Sequence, residues 1–526
     1  MTPADNGNAD TALRILGDSL ADPNGSITPA IYDTAHAALL AEEIRPPGGI
    51  EFMLAAQNPD GSWGSSAAPV AYRVVPTLAA TTALLTIARR RPGPAVRRAA
   101  VDGVQFLIGS RCLEQPSSLP DTVAIETIVP AQLALLAELL STPGADTTRG
   151  TPAALGRAVA GCATWTSGLH RLRTAARSGS PLPPHIEHTM EVLGPTLAAS
   201  ISRHSEDGPV ACSPAATAAV LAGTTLKLPA AQRYLRDLAL WHGGGLPNLS
   251  PIVNFERVWI AAQLTTAGIA LPRALRTAIA ALGHGLSRNG GLGMAPGFPP
   301  DCDITATTVT VLRRCGFDTD AQILSRYESD SACFTYYAGE RHPSPTVNAH
   351  VLDALGDLSD SPVTRRIADK SVAFLIDSHD DSGSWTDKWH ASPYYSASRC
   401  APALARRAED AAGHVIDRTV RWVLDTQHPD GSWGVWAGTM EETAYAIQTL
   451  IWAAKDLPAR DRAIRTGTRY LRDRLHDLQG SGDSSHPPLW HGKELFTPHR
   501  IVNATIHATL HSAARWSNYP SSAPSR

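Results

Sequence analysis

Gln57-Asn58-Pro59-Asp60-Gly61-Ser62-Trp63-Gly64 returns in the other half of the chain as Gln427-His428-Pro429-Asp430-Gly431-Ser432-Trp433-Gly434, with one position in eight changed. Pro-Asp-Gly is turn chemistry, and a Trp placed just after it packs back onto the helix that carries the Gln. Each copy therefore reads as a stapled turn between two helices. Weaker relatives stand at Glu206-Asp207-Gly208 and at Asp381-Ser382-Gly383-Ser384-Trp385. The sequence between is rich in Ala and Leu with helical spacing, as from Thr77 to Arg90, Ala131 to Leu140, Arg257 to Ala270 and Glu441 to Ala454. The fold class is all-α, and recurring helix pairs joined by such turns predict two α/α-barrels.

At 526 residues the chain exceeds one ordinary core and calls for two domains or more. A net charge of −3, from 46 basic and 49 acidic residues, offers no basic field to recruit nucleic acid. The expected partner is a small-molecule substrate. Seven cysteines, with no CxxC pair and one left over if they are paired, fit a reducing compartment without a disulfide framework or a zinc site. The residues up to Gly25 lack the apolar core of a signal peptide, and no run approaches the ~18 apolar residues of a membrane span. The expectation is a cytoplasmic enzyme without a transmembrane segment. Stretches rich in Gly, Pro, Ser or Thr from Thr142 to Thr151, Ser178 to Pro184 and Gly480 to Pro488 read as surface loops.

The chemistry concentrates in Asp301-Cys302-Asp303-Ile304-Thr305-Ala306. Gly297-Phe298-Pro299-Pro300 before it resists helix, whereas Thr305 to Leu312 runs without a breaker until Gly316. Asp303 is a good N-cap type. A carboxyl at a helix N-terminus feels the positive end of the dipole, which favours ionisation. A second carboxylate beside it pulls the other way and lets a proton be held. Two readings follow: Asp303 caps a helix, or the pair is an acid able to protonate a base as weak as an alkene.

The ordered segments resemble the class II terpene cyclases, and in particular their two-domain bacterial members, the copalyl and drimenyl diphosphate synthases. Ser26-Ile27-Thr28-Pro29-Ala30-Ile31-Tyr32-Asp33-Thr34-Ala35 is similar to that family's amino-terminal signature, and the Gln-to-Trp repeats to its QW motifs. His188-Thr189-Met190-Glu191, Gly244-Gly245-Leu246-Pro247-Asn248, Asp387-Lys388-Trp389-His390 and Thr439-Met440-Glu441-Glu442-Thr443-Ala444-Tyr445 follow in the family's order. The resemblance implies two α/α-barrels, γ and β, with the active site in the cleft between them. The implied division is a β-domain piece at 1–25, a γ domain at 26–275 and a β domain carrying the acid motif at 276–526. The family's acid motif is Asp-x-Asp-Asp followed by Thr-Ala, and its middle Asp, here Asp303, protonates the terminal alkene of a prenyl diphosphate. Asp301 survives, while Ile304 replaces the last Asp.

The resemblance places further roles. Asn348 matches an Asn that hydrogen-bonds the acid, and His188 with Asn248 matches a water-holding base dyad. Arg257, Arg341, Lys388, Lys493 and Arg500 lie in or beside recognised segments and are the expected diphosphate ligands. Magnesium is the expected cofactor. The family's acidic stretch has decayed to Glu114-Gln115-Pro116-Ser117-Ser118 with Asp121 and Glu126 following, which leaves Glu126 as the candidate metal carboxylate. A carbocation needs an apolar, aromatic pocket, with candidates at Phe334, Tyr336, Tyr337, Trp385, Trp389, Tyr394 and Tyr395. His379-Asp380-Asp381-Ser382-Gly383-Ser384 is not the DDxxD cluster of diphosphate ionisation, so the product is expected to keep its diphosphate.

The altered acid motif and decayed acidic stretch favour farnesyl diphosphate and a bicyclic drimane product. Geranylgeranyl diphosphate and a labdane (copalyl) product is the alternative. An α/α-barrel glycoside hydrolase fits poorly, because aspartates two residues apart hardly bracket a pyranose and the aromatic share is 6%. A non-catalytic helical scaffold is the remaining alternative, and it leaves the ordered motifs unexplained.

Overall fold

The structure, a computed structural model, describes residues 3–141, 151–202, 208–330, 333–338, 340, 343–356, 361–455, 458–481 and 486–517. Arg341, Glu206 with Asp207, and most of the loops expected around 142–151 and 480–488 lie outside the described residues. The chain divides into two compact units, one formed by Met1–Ser26, Pro251–Leu489 and Thr497–Arg526, the other by Ile27–Ser250 and Trp490–Phe496.

In the first unit the helices Val253–Thr266, Cys302–Arg314, Pro345–Leu355, Pro393–Arg407, Met440–Ala453 and His499–Ser517 each pack on the next. The last returns to the first and closes the ring. Outer helices back them: Arg273–Asn289 on Cys302–Arg314, Pro362–Asp377 on Pro345–Leu355, and Glu409–Asp425 on Pro393–Arg407. The Pro3–Ala21 helix lies along His499–Ser517. Ser-Pro pairs start several of these helices. Ser344, Ser361 and Ser392 each accept a first-turn amide while the following Pro, with no N–H to satisfy, fits the first helical position.

Inner helices are buried on every side, Cys302 to Leu312 without exception. Their polar residues are satisfied within the helix: Thr307, Thr308 and Thr310 hydroxyls donate to the carbonyls of Asp303, Ile304 and Ala306, at 2.8, 2.6 and 3.0 Å.

The second unit repeats the plan with a smaller ring. Ile31–Ala38, Val74–Arg90, Ile125–Ser141, the 3₁₀ segment Pro184–Leu193 and Pro214–Gly223 pack in succession and close on Ile31–Ala38. Two short ladders complete it, Pro29–Ala30 opposite Leu246–Pro247 and the hairpin of Trp490–His491 with Leu495–Phe496. The unit boundaries depart from the expected 275/276 division at two places. Val253–Thr266 belongs to the first ring because it packs on Cys302–Arg314, and residues 490–496 belong to the second unit. The segment Val70–Arg90 is apolar and long enough to cross a membrane, which sequence reading missed, but 67% of that window is buried within the unit as an inner helix.

The repeated turns are staples. Trp63 and Trp433 are fully buried, and each indole N–H donates at 2.7 Å to a carbonyl of the preceding helix, Met53 and Val423. Gln57 and Gln427 amides reach across to the next outer helix, at Ala99 O (2.9 Å) and Ala463 O (3.0 Å). Trp385 repeats the indole bond at Leu375 O, 2.8 Å.

Gly431 sits at φ +92°, and a Cβ there would stand 2.7 Å from Thr466 O. We predict that Gly431→Ala lowers stability by roughly 1–3 kcal/mol in thermal or denaturant unfolding. Gly413→Ala, in the open on a helix, changes it by about 1 kcal/mol in the stabilising direction.

Candidate active site

The Cys302–Arg314 helix begins at the closed end of the Phe298–Pro300 bend, where Asp301 has extended dihedrals (φ −125°, ψ 163°). Asp301, and not Asp303, is the N-cap. Its Oδ1 accepts the Ile304 amide at 2.7 Å, and the Cys302 amide donates to Tyr336 O at 2.9 Å. Asp301 is wholly buried, and its Oδ2 lacks a well-formed hydrogen bond, with the Tyr336 hydroxyl as polar neighbour. Burial drives the Asp301 carboxyl well above the usual carboxylate range, the Asp303 charge adds to it, and the Ile304 amide opposes both.

Asp303 lies in the first turn, 5% exposed, with Oδ1 2.5 Å from His350 Nδ1. A contact that short requires a proton between the two atoms. His350 comes from the Pro345–Leu355 helix, and its ring meets Trp259 edge to face, with centroids 5.5 Å apart. Trp259 Nε1 in turn donates to the Tyr395 hydroxyl at 3.4 Å, and Tyr395 stacks on His390 at 4.7 Å. His390 Nδ1 accepts the Ser392 amide at 3.0 Å, so its N–H lies on Nε2, which faces Glu441 Oε1 at 3.3 Å. The acid pair therefore sits on a fully buried column of polar aromatic groups.

Asn348 occupies a different place from the expected one. Its amide donates to Phe334 O and Ser344 O and accepts from Phe334 N, all at 2.9 Å, tying the segment before the helix to the helix itself. His350, two residues on, is the group that meets Asp303. Asp387 also faces this turn: it accepts the Ser344 hydroxyl (2.6 Å) and the amides of Thr346 (3.3 Å) and Trp389 (3.0 Å). Burial raises the Asp387 carboxyl, and the Asp303 charge contributes in the same direction.

Among the aromatic candidates, Trp385 is a turn staple and Tyr394 stacks on Trp422 at 4.6 Å. Phe334 is fully buried. Tyr336 and Trp389 lie together, centroids 4.3 Å apart and half-buried, with Tyr336 next to Asp301, and Trp389 Nε1 is a buried donor without a partner among the described residues.

Four of the five expected diphosphate cations, all but Arg341, lie among the described residues, and each has protein partners. Arg257 donates to the carbonyls of Ser19, Leu20 and Asp22, closing the end of the Pro3–Ala21 helix. Arg500 bridges Asp22 (2.7 Å) and Glu256 (3.1 Å). Lys388 pairs with Glu340 and lies 4.8 Å above the Trp389 ring. Lys493 is fully buried between Glu191 (2.9 Å), Asp33 (3.3 Å) and Ser213 (2.7 Å). These contacts tie together segments distant in sequence.

The base candidates lie in the second unit. His188 Nδ1 contacts Ala211 O at 2.9 Å, and a carbonyl only accepts, so Nδ1 carries the proton and Nε2 the lone pair. Burial and then Lys493 push the His188 imidazole down to about 4. Asn248 spans the backbone of Glu494, donating to its O at 3.2 Å and accepting from its N at 3.4 Å.

Glu126 is exposed in the first turn of Ile125–Ser141, and Glu114 is held by Arg111 (3.2 Å) and Arg157 (2.9 Å). No group of three or more His, Cys, Asp or Glu side chains among the described residues converges as a metal cage. Glu126 stands as a single exposed carboxylate outside any such group.

Residues 340–481 match the family model of the squalene-hopene cyclase C-terminal domain. The chain is 36% identical over 516 residues to the ent-copalyl diphosphate synthase of Streptomyces sp. (strain KO-3988), covering 96% of each. It is 34% identical over 551 residues to the labda-7,13-dienyl diphosphate synthase of Streptomyces clavuligerus, covering 99% of this chain and 96% of that one. Its structure superposes on ent-copalyl diphosphate synthase from Streptomyces platensis with a TM-score of 0.83 at 32% identity, over 97% of this chain and 100% of that one. The chain belongs to the class II terpene cyclases and has their βγ all-α architecture. Within that family it is similar to the bacterial copalyl diphosphate synthases.

Arg500→Met should cost roughly 1–3 kcal/mol of stability, because it strands the buried Glu256 and Asp22 carboxylates, and leave KM for a prenyl diphosphate unchanged. A raised KM at unchanged melting temperature would return Arg500 to the diphosphate site.

Proposed function

We propose that the chain cyclises geranylgeranyl diphosphate to a labdane-type, copalyl-like diphosphate, with Asp303 as the proton donor. The observation that carries the reading is the buried Asp303–His350 contact at 2.5 Å, one turn from the protonation-favouring Asp301. With its N–H on Nδ1, His350 donates to Asp303 Oδ1 and leaves the proton of the acid on Oδ2. When that proton moves to the terminal alkene, the same N–H meets a carboxylate, and the hydrogen bond strengthens as charge develops. His350 is a positioning residue, and burial favours the neutral form of Asp301 beside the acid.

The alkene carbon that gains the proton leaves a tertiary cation at its neighbour. The next two double bonds attack in turn and close two rings, the allylic double bond beside the diphosphate stays intact, and loss of a proton ends the sequence. We assign that last proton to His188 Nε2, with Asn248 as its companion. Tyr336, the polar neighbour of Asp301, and Trp389, packed on it, are the aromatic faces we assign to shield the cation from water. The diphosphate stays on the product: Asp380 Oδ1, in the candidate ionisation stretch, is occupied by Ser382 N (3.0 Å) and Ser384 N (3.1 Å) in a turn.

For chain length, relatives named copalyl and labdadienyl diphosphate synthases favour the twenty-carbon substrate over the farnesyl diphosphate expected from the altered acid motif. Ile304 is buried in the inner ring, so the missing Asp is replaced by packing.

Purified protein incubated with geranylgeranyl diphosphate, dephosphorylated and read by GC-MS should give a bicyclic alcohol. Asp303→Ala should lose at least about 100-fold in rate, and His350→Gln about 10- to 100-fold in kcat with KM little changed. A bicycle from farnesyl diphosphate alone would reverse the chain length. Linear alcohols from both substrates would contradict the function.

A further inference from the structure

Two stretches of the first unit pack on one another, residues 333–338 with Glu340 and residues 387–390, and each leads into an inner helix, Pro345–Leu355 and Pro393–Arg407. The first is fixed at its start by the Asn348 amide on Phe334 and in its middle by the Cys302 amide, which donates to Tyr336 O at 2.9 Å. That bond sets Tyr336 against the turn that carries both aspartates. The second stretch is fixed by Asp387, which accepts the Trp389 amide at 3.0 Å. Side-chain contacts then join the two. Trp389 packs on Tyr336 with centroids 4.3 Å apart, and Tyr336 meets Tyr337 edge to face at 4.7 Å. Lys388 forms an ion pair with Glu340 while its ammonium lies 4.8 Å above the Trp389 ring.

The ion pair is sheltered from solvent. The side chains of Lys388 and Glu340 are 13% and 23% exposed, so water screens their attraction weakly, and removing either partner leaves a poorly hydrated charge. Glu340 accepts the Tyr337 amide through its other oxygen at 3.4 Å, and its own amide donates to Tyr337 O at 3.1 Å. The carboxylate held by Lys388 is thus built into the turn that carries the two tyrosines. Glu340 has an electrostatic effect as well. An ammonium above the Trp389 ring repels a carbocation brought to the same aromatic pair, and the carboxylate beside it balances that charge.

We propose that Lys388 and Glu340 are positioning residues that latch Tyr336 and Trp389 together as one aromatic wall, and that this wall sets how much of the carbocation is captured by water. This deepens the proposed function and rests on Asp303 generating the cation. Two fates compete at the bicyclic cation. In one, the electron pair of a C–H bond beside the cationic carbon becomes the new C=C bond and the proton leaves. In the other, a lone pair of a water oxygen forms a C–O bond and the water then gives up a proton, which leaves a hydroxylated diphosphate. The diphosphate group is untouched in both. A wall parted by the width of a water molecule admits the second fate.

The test is the ratio of alkene to hydroxylated diphosphate from geranylgeranyl diphosphate, read by mass spectrometry of the intact products formed in heavy-oxygen water, with KM and thermal melting measured alongside. Wild type should form mainly alkene. Lys388→Met and Glu340→Gln should each raise the hydroxylated share at least about threefold, with KM within about twofold of wild type. The double variant should be no worse than the worse single, since both remove the same interaction, and Lys388→Arg, which keeps the ion pair, should stay near the wild-type ratio. A wild-type share in Glu340→Gln overturns the latch even if Lys388→Met does not fold. So does a double variant in which the two effects multiply. A KM raised in Lys388→Met alone, with the ratio unchanged, also overturns it and makes Lys388 a diphosphate ligand. Wild type that forms no bicycle removes the function and the latch together. A bicycle that depends on Asp303, with an unchanged share in both single variants, overturns the latch alone.

Discussion

The short contact between Asp303 and His350 is the constraint around which the first unit is arranged. A carboxyl group able to protonate an alkene has to be kept from water and yet have its conjugate base stabilised, and these demands conflict unless a donor is already in place. The closed ring of inner helices supplies the dry surroundings. His350 supplies the donor, and its ring is held by Trp259 so that little reorganisation accompanies proton loss. Asp387 and Ser344, at the head of the His350 helix, fix the entry of that helix, while Asn348 ties it to Phe334. The Gln-to-Trp turns act at one remove, locking outer helices to the inner ones that carry these groups.

Much of this was legible. The repeated octapeptide announced stapled helical hairpins, since Pro-Asp-Gly followed by Trp has few other uses, and the acid hexapeptide was found from its two carboxylates at a helix start. The identity of the cap was misread. Both aspartates suit the position, and only the extended backbone at residue 301 decides between them.

His350 was passed over for a reason that is physical. Every residue from Pro345 to Leu352 is buried, so the helix has no polar face against which one inward-pointing histidine would stand out. The partners of the candidate cations were hidden for a related reason. Arg257, Arg500 and Lys493 meet partners hundreds of positions away, Lys493 with Asp33 and Arg500 with Asp22, and such pairings leave no mark in local spacing. The unit boundary was similarly hidden, because the 490–496 hairpin crosses back to a unit whose other residues end at Ser250.

The central claim is that a proton from the buried acid starts the reaction and the diphosphate survives it. The direct measurement is turnover of geranylgeranyl diphosphate in deuterated water, with mass spectrometry of the intact product and the position of label read by NMR. The account predicts a bicyclic diphosphate carrying one solvent deuteron on the first-ring methylene next to the gem-dimethyl carbon, and no such product from Asp303→Asn. A cyclised product without solvent deuterium, or one formed with release of inorganic diphosphate, would contradict it.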